Sequence, residues 1–294
     1  LRSSNYKLKP EVVALELPRW RPGKLTQIML HFILLAYSII VLYPIGIMLL
    51  SSVKGTREIF TNPYGWPASL RLDNYSKAWK LANFSVYFQN SAFVSVMTIL
   101  VLLFVSSMAA YVLARFEFRG NRALYMLFIS GLMLPVRLAV VPLFTMIRDI
   151  NLLDTRTALL MVYVASGIPF SIFLLVNFFK SIPKEIEEAA IIDGCGLFSI
   201  YYRIMLPLIG PALATVGIYN FIGTWNDFFF PLIFLRTKSK YTIPLGVMQF
   251  FGEFTNQWDM LFSSLTIAIV PVIIIFMVAS KQFIRGMTAG AVKG

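Results

Sequence analysis

The charged residues of this chain are spaced so that long stretches between them carry none. Residues 28–50, 81–114, 157–179 and 260–280 lack Asp, Glu, Lys and Arg, residues 123–147 contain only Arg137, and residues 207–235 contain only Asp227. A helix needs about 20 apolar residues to cross about 30 Å of hydrocarbon, so the pattern predicts six membrane spans. The 34 residues of 81–114 exceed one straight crossing, which puts the start of that run on or above the membrane surface. Pro44, Pro135, Pro142, Pro169, Pro211, Pro231 and Pro271 punctuate the runs. Proline removes a backbone hydrogen bond that only packing inside protein makes good, so a bundle of bent or broken helices is expected rather than a lipid-exposed anchor.

Composition narrows the classes further. The chain has 294 residues, 58% hydrophobic and 14% charged, whereas soluble domains keep about a quarter of their residues charged. A soluble globule and a disordered chain are therefore excluded. One Cys forms no internal disulfide, and with one His it supplies too few soft ligands for structural zinc. The formal charge of +12 suggests either nucleic acid or basic loops facing anionic lipid, and so apolar a chain favours lipid.

Six spans place both termini on one side of the membrane. That side carries 15 Lys and Arg and the other carries 10, a bias that puts both termini in the cytoplasm. The expected organisation is a cytoplasmic tail 1–27, a transmembrane domain 28–280 and a cytoplasmic tail 281–294. The run 28–50 follows a basic tail and lacks a small-residue cleavage pattern, so it reads as a span rather than a signal peptide. No GxxxxGK phosphate loop occurs, so any ATP-driven pump using that device takes its hydrolysing part from another chain.

The segment 181–207 is the most informative. Ser181 and Pro183 read as the cap and first turn of a helix, with Glu185, Glu187 and Glu188 near its positive end. Ile186, Ala189 and Ala190 share one face, a narrow surface suited to insertion in a groove. Gly194 and Gly196 end the helix, and a second amphipathic piece, 197–205, leads through Leu206 and Pro207 into span five. Spacing alone leaves open an interfacial loop lying on head groups.

Glu188, Ala189, Ala190, Gly194, Ile204, Leu206 and Pro207 together resemble the EAA motif of permease subunits of binding-protein-dependent ABC importers. More narrowly, the chain resembles the MalG-like carbohydrate uptake permeases. Asn90 with Ser91, Leu134 with Pro135, residues 141–144, Phe221 through Trp225 and Asn226 to Pro231 and Leu232, and the C-terminal 283–294 carry the same resemblance. It implies an all-α transmembrane fold, the six-span type I ABC importer permease fold with a cytoplasmic coupling helix. It also implies a second, MalF-like permease, two ABC ATPase subunits that bind ATP and Mg, and an extracytoplasmic solute-binding protein that delivers a sugar. This chain itself would bind no cofactor and no metal, would hydrolyse nothing, and would sit in the bacterial inner membrane.

In the family the EAA helix docks in a cleft of the ATPase, so the resemblance makes Glu188, Ala189, Ala190 and Gly194 docking residues. Cys195 and Gly196 stand where the family usually has residues such as Ala and Ser. The family's C-terminal tail reaches the ATPase interface, which implies such contacts for Thr288, Gly290 and Lys293; composition alone suggests a frayed terminus.

The polar groups within the spans are the candidate substrate contacts. An arginine at membrane depth costs at least about 2.5 kcal/mol unless it faces protein or water. Arg137 therefore lines the translocation path, pairs with an acid on a companion permease, or lies shallower than its run suggests. Trp225, Asn226 and Asp227 suit a sugar ring and its hydroxyls, or are structural. The charge of +12 and Arg137 raise an anionic, alginate-type oligosaccharide as one substrate. His31 reads as an interfacial histidine, and Tyr64, Trp66, Trp79 and Trp258 as head-group anchors. Cys195 has no histidine partner and the adjacent Glu187 and Glu188 cannot face one another, so no catalytic constellation emerges. A self-contained ion-coupled secondary transporter is the alternative; it too uses broken helices and buried charge but gives no reason for the docking segment.

Overall fold

The structure is a computed structural model that describes residues 23–81, 83–252 and 257–291. Most of the expected N-terminal tail, and Lys293 of the C-terminal one, lie outside the described residues. The chain divides into two compact units, 1–47 and 48–294. In the first, helix α1 (Lys24–Ser52) begins and carries Pro44. His31 Nδ1 lies 2.7 Å from the Gln27 carbonyl one turn earlier, a local use of the ring.

The second unit holds the remaining helices. Two short helices, α2 (Thr56–Thr61) and α3 (Asp73–Leu81), precede α4 (Phe84–Arg115). Asn83, at φ 50°, turns the chain between α3 and α4. The long charge-free run thus becomes one unbroken helix from Phe84 to Arg115, and the separate, polar-faced α3 ends where that run begins.

Span three bends where its prolines fall. Helix α5 (Asn121–Ser130) and its short continuation to Met133 meet the segment Val136–Asp149, whose regular part is α6 (Val140–Asp149), at 86°. Leu134 and Pro135 at the corner are extended, as the residue before a proline prefers to be. Helix α7 (Arg156–Ser181) starts where the Thr155 hydroxyl oxygen accepts the Ala158 N–H at 3.2 Å, and it contains Pro169. Then come α8 (Glu185–Ile192) and a helical run Leu197–Leu208 with a π-helical stretch at Ile200–Met205. That run meets α9 (Gly210–Asn226) at 72°. Helices α10 (Phe229–Phe234), α11 (Ile243–Val247) and α12 (Trp258–Ala291) complete the fold.

Among the described residues, four helices are long and apolar enough to cross a membrane alone, and the two bent pairs raise the number to six if each is one span. Two expectations need correction. Ser181 does not cap α8: it ends α7, its hydroxyl donating to the Phe178 carbonyl at 2.7 Å, and α8 begins beyond Pro183, after Lys184. The C-terminal tail is not frayed over 281–291, where α12 continues to Ala291.

Three apolar clusters hold the second unit. One joins α4, α7 and α9 to α8 around Ile172, Phe179, Ile200 and Met205. Another packs Val94, Leu159, Val162 and Phe234 between α4, α7 and α10. The third gathers Phe84, Phe221, Trp225 and Ile243 where α4, α9 and α11 meet. Polar contacts fasten the loops. Asp154 accepts the N–H groups of Arg236 and Thr237 at 2.9 and 3.0 Å, the Thr237 hydroxyl at 2.6 Å and Lys240 at 2.9 Å. Burial alone would raise its pKa, but the Thr237 hydroxyl, these N–H donors and Lys240 outweigh that and hold it well below the usual carboxylate range.

Candidate functional site

The corner in span three and the break where α9 ends, a separate feature from the 72° bend at its start, meet at one polar cleft. Arg137 sits on the short turn Val136–Ala139 that follows the 86° corner, and Asp227 is the extended residue at which α9 ends. The Asp227 carboxylate accepts the Phe230 N–H at 3.0 Å and so satisfies the start of α10. Tyr163 of α7 donates its hydroxyl to the same oxygen at 2.9 Å. An Arg137 Nη lies 3.6 Å from the other oxygen, and the guanidinium also stands over the Phe229 ring, 5.6 Å from its centroid. The two partners differ sharply in access: the Arg137 side chain is 71% exposed and that of Asp227 8%. The carboxylate is thus held by protein, while most of the guanidinium's five donors face open space.

Ser166, Tyr219, Asn220 and Thr224 line the same cleft of about 380 Å³. The sequence reading missed these four. Asn220 and Thr224 recur at helical spacing on α9 and Asp227 follows at its end, a polar stripe in an apolar run that is legible once a break at Asp227 is recognised.

The other candidates near Asp227 point elsewhere. Trp225 is buried: its indole N–H donates to the Ala268 carbonyl at 3.0 Å and its ring stacks on Phe221 at 5.4 Å, so it ties α9 to α12 rather than lining the cleft. The Asn226 amide is exposed and donates to Ile222 of its own helix at 3.0 Å. Within this chain the acid beside Arg137 is Asp227.

A second site lies in the 181–207 segment. Glu185, Glu188, Ala189 and Ile192 are exposed on α8, and their spacing places them on one face. Ala190 is turned the other way, 6% exposed and packed into the first apolar cluster. The outward surface is therefore this acidic and aliphatic strip, and the expected stripe of Ile186, Ala189 and Ala190 is split between two faces. Ile204 and Leu206 pack against the same cluster, and Pro207 is exposed in the first turn of Leu206–Leu208. Gly194 closes α8 at φ 82°, a conformation that would cost a residue with a β-carbon about 1–2 kcal/mol.

Glu187, on the inward side, forms a shielded ion pair with Arg115 at the end of α4, the two side chains being 14% and 6% exposed. Tyr111 donates to Glu187 at 2.9 Å, and Arg115 donates to the Ile182 carbonyl at 2.9 Å. Breaking a buried pair on one side typically costs about 3–5 kcal/mol. Nothing in the local sequence distinguishes Glu187 from Glu188; the difference is one of helical face. Thr288 and Gly290 fall in the last turns of α12. Among the described residues no group of His, Cys, Asp and Glu could hold a metal ion.

Comparison with known proteins gives these features a family. Residues 103–289 match the model of the binding-protein-dependent transport system inner membrane component. The chain is 41% identical to the probable ABC transporter permease protein YurM of Bacillus subtilis over 89% of this chain and 87% of that one. It is 37% identical to the diacetylchitobiose uptake system permease protein NgcG of Streptomyces coelicolor, covering 88% and 87% of the two. Among solved structures, its fold matches a chain of a bacterial ABC transporter involved in the import of the acidic polysaccharide alginate. That match has a TM-score of 0.79 and 24% identity, and covers 90% of this chain and 99% of that one.

Proposed function

This chain belongs to the family of binding-protein-dependent transport system inner membrane components, and from that membership we propose that it forms, with a second related permease, the path of an ATP-driven importer for a sugar or oligosaccharide. The observation that carries the reading is the convergence of two broken spans on the Arg137–Asp227 cleft. Irregular backbone at membrane depth is tolerated where it is buried in protein or lines a water-filled cavity. Here Arg137 beside one break, together with Ser166, Tyr219, Asn220 and Thr224 on α7 and α9, presents a guanidinium, an amide and hydroxyl groups to one space. Such donors and acceptors suit sugar hydroxyls. Asp227 offsets the charge of Arg137, so the cleft takes neutral oligosaccharides as readily as the alginate-type acidic ones that the basic composition raised. Relatives named for arabinooligosaccharides and for melibiose, raffinose and stachyose support the same substrate class.

In this reading all six segments span the membrane with both termini in the cytoplasm. The outward face of α8, with Glu188, Ala189 and the Gly194 turn, docks on an ATPase subunit that supplies ATP and Mg. The tail from Thr288 through Gly290 to Lys293 contacts the ATPase pair, and a solute-binding protein delivers substrate on the opposite side.

The test is ATP hydrolysis by the complex purified in nanodiscs, with and without binding protein, using neutral and acidic oligosaccharides and comparing native chain with Gly194→Val. Stimulation by one sugar class, lost in the variant, is the expected result. Failure of any ATPase to co-purify, with transport that follows an ion gradient instead, would replace this reading with the ion-coupled carrier.

A further inference from the structure

Ser107, Tyr111 and Arg115 lie four residues apart on α4 and so share one face. That face grips the 181–207 segment at both of its helices. Arg115 and Tyr111 hold Glu187 of α8, as described above. Ser107 and Tyr201 bring their hydroxyls to 2.8 Å, and the rings of Tyr111 and Tyr201 lie 5.2 Å apart. The same helix fastens loops at its other end. The Asn90 amide donates to the carbonyls of Ser239 and Tyr241 at 2.9 and 3.0 Å and accepts from Arg156 at 3.1 Å. Ser91 accepts the Ile243 N–H at 2.8 Å.

Between these two sets of contacts α4 contains neither proline nor glycine over its 32 residues, whereas each of the other spans carries proline. Kinks in long helices arise mainly at proline, at glycine and at π-bulges. A helix lacking the first two, clasped at both ends, transmits displacement along its axis instead of absorbing it.

We propose that α4 is the rigid link of this transporter and that Arg115 and Glu187 are positioning residues for energy coupling. Movement of α8 is passed through the ion pair to α4, and through Asn90 and Ser91 to the loop at 239–243 and the start of α7. The inference rests on the reading of α8 as the ATPase-docking helix. Glu187 then acts from the inward face of α8 and Glu188 from the outward one, two adjacent carboxylates with separate tasks.

The experiment uses the complete complex in nanodiscs, with spin labels at Ile191 on α8, outside the docking strip, and Val96 on α4, both exposed. In the native chain the label-to-label distance is expected to stay the same with and without ATP and vanadate. In Glu187→Ala it shifts or broadens on nucleotide binding, and stimulation of hydrolysis by sugar-loaded binding protein falls about tenfold, within the usual range for coupling between sites. The reciprocal exchange, Arg115→Glu with Glu187→Arg, restores most of that stimulation, which a merely volumetric role would not do. A native distance that changes with nucleotide, or full stimulation in Glu187→Ala, overturns the proposal. Should Glu187→Ala fail to assemble, Tyr111→Phe decides: it keeps the ring and removes one hydrogen bond, and undiminished stimulation there overturns the proposal as well. Failure of the docking reading looks different, because Ile192→Arg would then leave the ATPase subunits bound.

Discussion

Removing the Asp227 carboxylate takes away an acceptor for α10, the partner of Tyr163 and the counter-ion of Arg137 at once. Asp227→Ala is therefore expected to destabilise the chain by about 2–4 kcal/mol, chiefly from the two donors it leaves unpaired, read as a lower melting temperature in detergent. Tyr163→Phe, which leaves the other two contacts, should cost about 1 kcal/mol in the same assay. Gly246 gives a steric counterpart: a β-carbon there would overlap the buried Tyr87 ring, so Gly246→Ala should destabilise by about 1–3 kcal/mol. Asp154 supplies a pH test. Its pKa is lowered on folding, so its contribution is complete above the ordinary value of 3.8 and is lost as pH falls through the lowered one. The melting temperatures of native chain and Asp154→Asn should differ by a constant amount from neutral pH to about 5 and converge only in stronger acid. At this scale the sequence exposed Arg137 and Asp227 as charges in apolar runs, because their cost at membrane depth is local knowledge. Their mutual pairing was hidden by the 89 residues between them.

Elements were legible where one physical rule dominates. Charge-free length located α1, α4, α7 and α12, and proline foretold that span three would not be straight. The start of α8 was misjudged because Ser181 had a nearer use: its hydroxyl returns to Phe178 and closes α7 instead of opening the next helix. The face of α8 was misjudged for a related reason. Ala is equally at home against a core or against a partner, and only packing shows that Ala190 belongs to the first and Ala189 to the surface. This sorting predicts opposite defects for large substitutions. Ala190→Phe should lower stability by about 1–3 kcal/mol, whereas Ala189→Phe should leave the melting temperature unchanged and reduce the ATPase retained on size-exclusion chromatography.

For the whole molecule, orientation rests on the excess of Lys and Arg on one side, and the single Cys195, beside the Gly194 turn and partly exposed, can report it. A membrane-impermeant maleimide should label Cys195 in inverted vesicles and spare it in right-side-out ones. The architecture became readable as a whole only through the EAA-like segment, since periodicity alone also allowed a solitary carrier. What stayed hidden was how the ends are tied together, because the clasps at Asn90, Asp154 and Glu187 join residues far apart in sequence. The length of α4 has a consequence of its own. At about 1.5 Å per residue its 32 residues extend about 48 Å, well beyond a hydrocarbon layer of about 30 Å. Such a helix must lean or protrude, its lean being set by the packing that clasps both of its ends, with bilayer thickness as a modest bias. A thicker bilayer favours the more upright lean, so acyl-chain length is expected to shift both clasped ends together.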